Sequence, residues 1–457
     1  MRRAVLSLLL ALAALLAAVP ATPGRAAPVP TLRFEHLSVE DGLAQESVLA
    51  IAQDRDGFMW FGTQTGVSRF DGYRFTNYRN VVGDPRTLGN NWVRVLLVDR
   101  KGRLWLGTDG GLDRFEPDNQ TFVHYQPGVP ARRGNGHLHI HAIVEDGKNG
   151  LWLATSDGLH HFDIGSGKFD SWYHAPNDER SLGDDQVNAL ALDGAGLLWI
   201  GTSTGLDSFD PASGSFTHHR AGLDARHVSV RSLLVDAAGA LWIGSAGGLE
   251  RWQTDGKGGT ARRSFGLEEG IRPGEINALY ADTERQVWVG TREDGMYRWQ
   301  SKLGRFENFR HLATDAHSLA DNQVSALYRD RVGTFWAGTW YAGVSRVDLG
   351  SGGFARIVRQ ADSANTLADN KVHSIESDGA GKLWLGTNTG LNHYDPETGN
   401  TRVWRHDPAN PNSLVDAAAT AVARDRRGVL WVGSRNGITS FDPASGRFVR
   451  QQLLPLD

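Results

Sequence analysis

Nine times along this chain an aspartate stands six residues before a tryptophan. The pairs are Asp54/Trp60, Asp99/Trp105, Asp146/Trp152, Asp193/Trp199, Asp236/Trp242, Asp282/Trp288, Asp330/Trp336, Asp378/Trp384 and Asp425/Trp431, and successive tryptophans lie 43 to 48 residues apart. A period of about 40–50 residues with strand-like segments is the spacing of propeller blades, one blade per repeat. Within each copy four short strands can be read. "VRVLLVD" (93–99) is a nearly continuous apolar run, as an inner strand buried on both faces requires. "D-x-x-G" is a tight turn, with Gly at the positive-φ position. "LWLGT" carries the tryptophan, "GLDRF" forms a third strand, and "FVHYQ" is a more polar outer strand. The expected fold is all-β: a β-propeller of four-stranded antiparallel blades, with nine repeats of about 47 residues.

A residue type repeated at one offset in every blade is explained by geometry that every blade shares. Asp, Trp and Gly are therefore read as scaffold. The slips in the pattern agree: Ala154 replaces the Gly after the third motif, Arg285 replaces a turn Gly, and one-residue insertions precede Gly295 and Gly343.

Function must then lie where the copies disagree. The residues flanking the first apolar residue of each inner strand vary from copy to copy and alternate toward the mouth of the channel. In order they are Ser47/Leu49, Trp92/Arg94, His139/His141, Gln186/Asn188, Ser229/Arg231, Glu275/Asn277, Gln323/Ser325, Lys371/His373 and Ala418/Thr420. Trp offers a flat apolar face, while Arg and the amides offer directional hydrogen bonds. The candidate ligand-binding set is Trp92, Arg94, His139, His141, Gln186, Asn188, Arg231, Glu275, Asn277 and Gln323. Trp340 and Tyr341 join it from the turn "GTWYAGV". A small polar ligand, carbohydrate among the possibilities, suits such a lining. The plainer alternative is that these residues face channel water.

Chemistry finds less support. His137, His139 and His141 in "HLHIH" fall on one strand face ~7 Å apart, too far for three ligands on one ion, and no metal is expected. "GTSTG" (201–205) matches the hydrolase G-x-S-x-G only in letters, since a strand–elbow–helix context is lacking. No phosphate-cradling or zinc-protease motif occurs, and neither catalytic residues nor cofactors are expected. His139, His141 and Glu275 leave open a secreted propeller enzyme, a lyase or hydrolase.

Composition narrows the setting. A net charge of −4 over 457 residues gives no basic field for nucleic acid. The absence of cysteine excludes disulfides, zinc ribbons and thiol catalysis. Arg2 and Arg3, an apolar run over 4–19 and then small residues and prolines read as a signal peptide over 1–27, cleaved after Ala21 or Ala27. Periplasmic export follows from that reading.

The consensus "D-x-x-G-x-[LFV]-W-[ILV]-G-T-x-x-G-[LV]-x-x-[FY]-D" closely resembles the two-component regulator propeller repeat. So do the lead-ins "DPRTLGNNWV", "NDERSLGDDQV", "TDAHSLADNQV" and "SANTLADNKV", and the opening "FEHLSVEDGLAQESV". The resemblance covers residues 32 to about 450. It implies the periplasmic sensing region of a bacterial membrane receptor, homodimeric in its full-length form, whose output is a histidine kinase phosphorelay or a diguanylate cyclase. Family members resemble two tandem seven-bladed propellers followed by an immunoglobulin-like domain and a membrane helix. This chain departs from that plan, with nine repeats rather than fourteen. The expected division is 28–355 for repeats one to seven and 356–457 for repeats eight and nine, which start a second propeller or continue the ring. "LRFEHLS" would complete the seventh blade. On this reading the chain is a fragment lacking its membrane and output segments, through which alone it would meet a membrane. A protein-interaction scaffold is a further alternative.

Overall fold

The spacing of six is a hydrogen bond. In the computed structural model, which describes residues 32–127, 138–219, 228–254, 260–349, 357, 359, 366–396, 398, 400–443 and 445–451, each motif Asp closes its own hairpin. Asp330 shows the pattern: one carboxylate oxygen accepts the amides of Val332 (3.1 Å) and Thr334 (2.8 Å), and the other accepts the Trp336 indole N–H (2.9 Å). The same indole bond, at 2.7 to 3.3 Å, recurs from Trp60, Trp105, Trp199, Trp242, Trp288 and Trp431. In the third and eighth repeats a third-strand histidine takes the carboxylate instead. His161 reaches Asp146 at 3.0 Å and His393 reaches Asp378 at 2.9 Å, each ring lying against the motif tryptophan.

The described residues form nine four-stranded antiparallel sheets. The second repeat is representative, with strands Val93–Val98, Leu104–Thr108, Gly111–Glu116 and Thr121–Tyr125. The glycine after the motif tryptophan is the notch for the next sheet. A Cβ on Gly201 would lie 2.5 Å from Val230 Cγ1, and one on Gly338 would lie 2.8 Å from Val48 Cγ1. Ala154 stands at this notch in the third sheet and shares a core cluster with Val187.

A buried polar residue on the third strand anchors the lead-in loops. Asp113 accepts the Gly89 amide and Asp207 the Gly183 amide, both at 2.8 Å, while Ser68 accepts Ala44 at 3.0 Å and Asn392 accepts Ala368 at 2.8 Å. The "S/T-L" lead-ins are thus stitched to the sheet they introduce.

The described residues divide into two units, one within Leu32–Gly353 and the other within Phe354–Asp457. In the first unit the seven inner strands touch in order and the last, Val324–Arg329, touches the first, Val48–Gln53. The N-terminal strand Glu35–Leu37 supplies the fourth strand of the seventh sheet, pairing with Val344–Asp348 in the register Glu35↔Arg346, Leu37↔Val344. Trp336 of that sheet packs on Phe61 (5.6 Å) and Phe70 (6.2 Å) of the first sheet. The ring is closed by strand pairing and by aromatic packing together. The second unit holds two sheets, whose inner strands Val372–Ser377 and Ala421–Arg424 are in contact.

Candidate functional site

Each inner strand of the ring slips register once, directly after its first residue. Val93 pairs with Thr108 but Val95 pairs with Gly107, leaving Arg94 as the extra residue. The corresponding residues are Leu49, His141, Asn188, Arg231, Asn277 and Ser325. A bulge of this kind bends the strand and re-aims the extra side chain. All seven residues, one from each sheet, line a single cavity of about 450 Å3.

The wall is completed unevenly. Glu275 and Gln323 come from the position before the strand, and Arg292, Trp340 and Tyr341 come from the hairpin turns of the sixth and seventh sheets. These are the two hairpins with an inserted residue. Their threonine hydroxyls bond carbonyls four residues on, Thr291 to Gly295 and Thr339 to Gly343, rather than three as at Thr108 to Gly111. Turn amides tie this rim to the strand starts: Arg292 N–H donates to Glu275 O and Trp340 N–H to Gln323 O, both at 3.0 Å. Trp340 O accepts the Ser47 hydroxyl at 2.7 Å, which links the rim across the ring closure.

Two polar networks face each other. On one side Arg94 makes two hydrogen bonds to Asp109, Nη2 to Oδ2 at 3.0 Å, and its guanidinium lies 4.9 Å over the Trp92 ring. His139 Nδ1 is 3.9 Å from Asp109. The Gln186 amide reaches His141 Nε2 at 3.2 Å and Asn188 Oδ1 at 3.4 Å, and Asn188 donates to Val230 O at 3.0 Å. With the amide donating, His141 Nε2 is the unprotonated nitrogen. Burial, and then the Arg94 guanidinium, push the His141 pKa down to about 4, so the ring is neutral at neutral pH. On the other side Glu275 stands between Arg292 (3.0 Å) and Arg231 (3.6 Å).

Nine of the twelve candidates from the sequence therefore line one cavity: Arg94, His141, Asn188, Arg231, Glu275, Asn277, Gln323, Trp340 and Tyr341. Trp92, His139 and Gln186 are not lining residues; they support Arg94, Asp109 and His141. In the second, third and fourth sheets the bulge aims the residue after the first strand position into the cavity and leaves the one before it behind, whereas in the sixth and seventh sheets Glu275 and Gln323, before the strand, line it as well. Arg292 and Asp109 are members that the sequence reading missed. Both occupy the turn position at which Trp340 stands, and that position is the signal. His137 lies outside the described residues. Among the described residues, no three His, Cys, Asp or Glu side chains group as a metal set would require. Ser203 sits in a hairpin turn between two strands, where it receives the Asn188 amide at 3.4 Å.

Five stretches of the chain, 42–65, 87–110, 181–204, 318–341 and 366–389, match the family model described as "Two component regulator propeller". A 47-residue segment is 47% identical to histidine kinase P4 of Formosa agariphila, covering 10% of this chain and 3% of that protein. Among solved structures, the chain is similar to the extracellular domain of a putative hybrid two-component system from B. thetaiotaomicron. That likeness has a TM-score of 0.75 at 23% identity and covers 93% of this chain but 55% of the other. Virginiamycin B lyase from Staphylococcus aureus is similar at a TM-score of 0.52 and 14% identity, over 70% of this chain and 99% of the enzyme. The chain thus spans a small part of the curated relative and about half of the extracellular domain it matches.

Proposed function

On the five repeats that match the two-component regulator propeller model, we propose that the ring is the sensing part of a bacterial receptor. It is exported to the periplasm and holds a small polar ligand in the channel cavity without transforming it. One observation carries this reading. Each motif aspartate is engaged in scaffold bonds, from its tryptophan in seven repeats and from a histidine in two, while the residues that the bulges aim into one cavity vary around the ring. A sensor requires only a ligand that prefers one receptor state over another, and no catalytic set. The cavity is suited to holding such a ligand. Arg94 is fixed in place by Asp109 and Trp92, the amides are oriented by neighbours, and Trp340 offers a ring face. Carbohydrate is the leading ligand class. In the receptor, ligand would shift two paired chains, and a histidine kinase or diguanylate cyclase would read the shift.

Thermal-shift screening of the chain against saccharides and polar metabolites tests the proposal. The expected result is a ligand that raises Tm saturably, is recovered unchanged, and loses its effect in a folded Arg94→Ala variant. A screen without a stabilising compound would count against the cavity reading. A second reading, a propeller enzyme, draws on the lyase neighbour and on His141 and Glu275 sharing the cavity. It requires product formation that disappears in His141→Ala or Glu275→Ala.

A further inference from the structure

The charges around the cavity do not cancel. Three guanidinium groups line it, from Arg94, Arg231 and Arg292. Two carboxylates hold them. Asp109 is taken up by the paired hydrogen bonds from Arg94. Glu275 is shared: Oε2 accepts from Arg292 at 3.0 Å, while Oε1 lies 3.6 Å from Arg231 Nε, beyond hydrogen-bond reach. One positive charge is left over, and it sits on Arg231, whose guanidinium makes no hydrogen bond among the described residues. His141 adds no charge, since burial and both nearby arginines oppose its protonation.

The surroundings of Arg231 say what would satisfy it. A guanidinium presents a planar fork of donors that matches the two oxygens of a carboxylate. Next around the ring stand Asn277 and Gln323, whose amides can both donate to and accept from hydroxyl groups. Trp340 follows with an aromatic face of the kind that covers a sugar-like ring. A second negative charge on the ligand would meet Glu275. We propose that the cavity selects a hydroxylated monocarboxylate, of the sugar-acid class, over the neutral sugar, with the carboxylate on Arg231 and the hydroxyl-bearing frame against Asn277, Gln323 and Trp340. This inference rests on the cavity reading above.

Isothermal titration of the full chain at low ionic strength, with glucuronate, galacturonate and gluconate against glucose and galactose, tests it. At least one acid is expected to bind ~10-fold or more tightly than its neutral parent, the size of a charge-assisted hydrogen bond. Arg231→Gln should remove that preference while leaving the far-ultraviolet spectrum and Tm unchanged, and Arg231→Lys should restore part of it. Added salt should weaken the acid and not the neutral sugar. Neutral sugars binding as well as acids would overturn the carboxylate assignment and leave the cavity reading standing. No binding by any acid or neutral sugar would overturn both.

Discussion

The closed ring and the two-sheet unit are written in one repeat, yet equivalent residues meet different fates. Trp336, in the seventh sheet, is 3% exposed because the first sheet packs against it, whereas Trp431, its counterpart in the ninth sheet, is 36% exposed. Ile51 of the first inner strand is 8% exposed, and Ile375, three residues before Asp378 as Ile51 is before Asp54, is 64% exposed. Where the two sheets of the smaller unit face each other, Trp384 and Val422 are buried in one cluster. The repeat therefore specifies a sheet with two adhesive faces, and closure decides whether both are covered. Stability in such an array is a sum over neighbour interfaces, and the ring has one interface for every sheet.

The largest expected effect tests that accounting directly. Trp336→Ala should cost ~3–5 kcal/mol, as for a large aromatic removed from a core. Trp431→Ala should cost less, ~2–3 kcal/mol, in proportion to the smaller area it buries. Urea unfolding, followed by hydrogen exchange to assign each transition to its unit, measures both. Equal costs would mean that the ninth sheet is covered in solution and would end the comparison.

Acid should separate the units next. His160, buried in the ring's third sheet, bonds Ser171 Oγ at 2.7 Å and the Asp157 carbonyl at 3.3 Å. Burial pushes its pKa down to about 4. The folded value lies below the ordinary 6.5, so the unfolded chain takes up the proton first. The part of the ring's stability linked to His160 is fully present above pH ~6.5 and falls by on the order of 2–3 kcal/mol as the pH falls toward 4, and His141, pushed down to about 4 as well, adds a loss in the same direction. Asn392 holds this position in the two-sheet unit and does not titrate. Comparing Tm at pH 7.5 and 4.5, His160→Asn should shrink the acid loss of the ring; an unchanged loss would remove His160 from the account.

A notch substitution comes third. A Cβ on Gly338 meets Val48 Cγ1 at 2.8 Å and the Val48 carbonyl at 3.0 Å, across the ring closure. Gly338→Val should therefore cost ~1–3 kcal/mol or more through overpacking. At Gly433 the nearest atom is Ala421 Cβ at 3.2 Å, within the same sheet. Gly433→Val should cost under ~1 kcal/mol, and a reversal of this order in urea melts would show that packing across the closure is not what makes the notch intolerant.

Much of this was legible in the residues. Nine Asp–Trp pairs at one offset imply nine hairpins, and their sameness marks them as scaffold. The bulge is not legible, because "WVRV" reads as plain alternation. Alternation puts Trp92 and Arg94 on one face, and only the shifted pairing of Val95 with Gly107 shows that Arg94 alone turns inward. Arg292 and Asp109 escape for another reason. An aromatic residue in a turn, such as Trp340, departs from what turns ordinarily carry, whereas a charged one does not. What places Arg292 over the cavity is the inserted residue in its hairpin, and a length change carries no direction until the flanking strands are paired.

The smallest effect sharpens the comparison most, because it disturbs folding least. Ile51→Val removes one methylene from a packed face and should cost ~0.5–1.5 kcal/mol. Ile375→Val removes the same group from an exposed strand and should change stability by less than about 0.5 kcal/mol. If both cost the same, the face carrying Ile375 is packed against something in solution, and the two-sheet unit has found the neighbour that its repeat calls for. If only Ile51 responds, one sequence pattern yields a core position or a surface position according to what stands beside it.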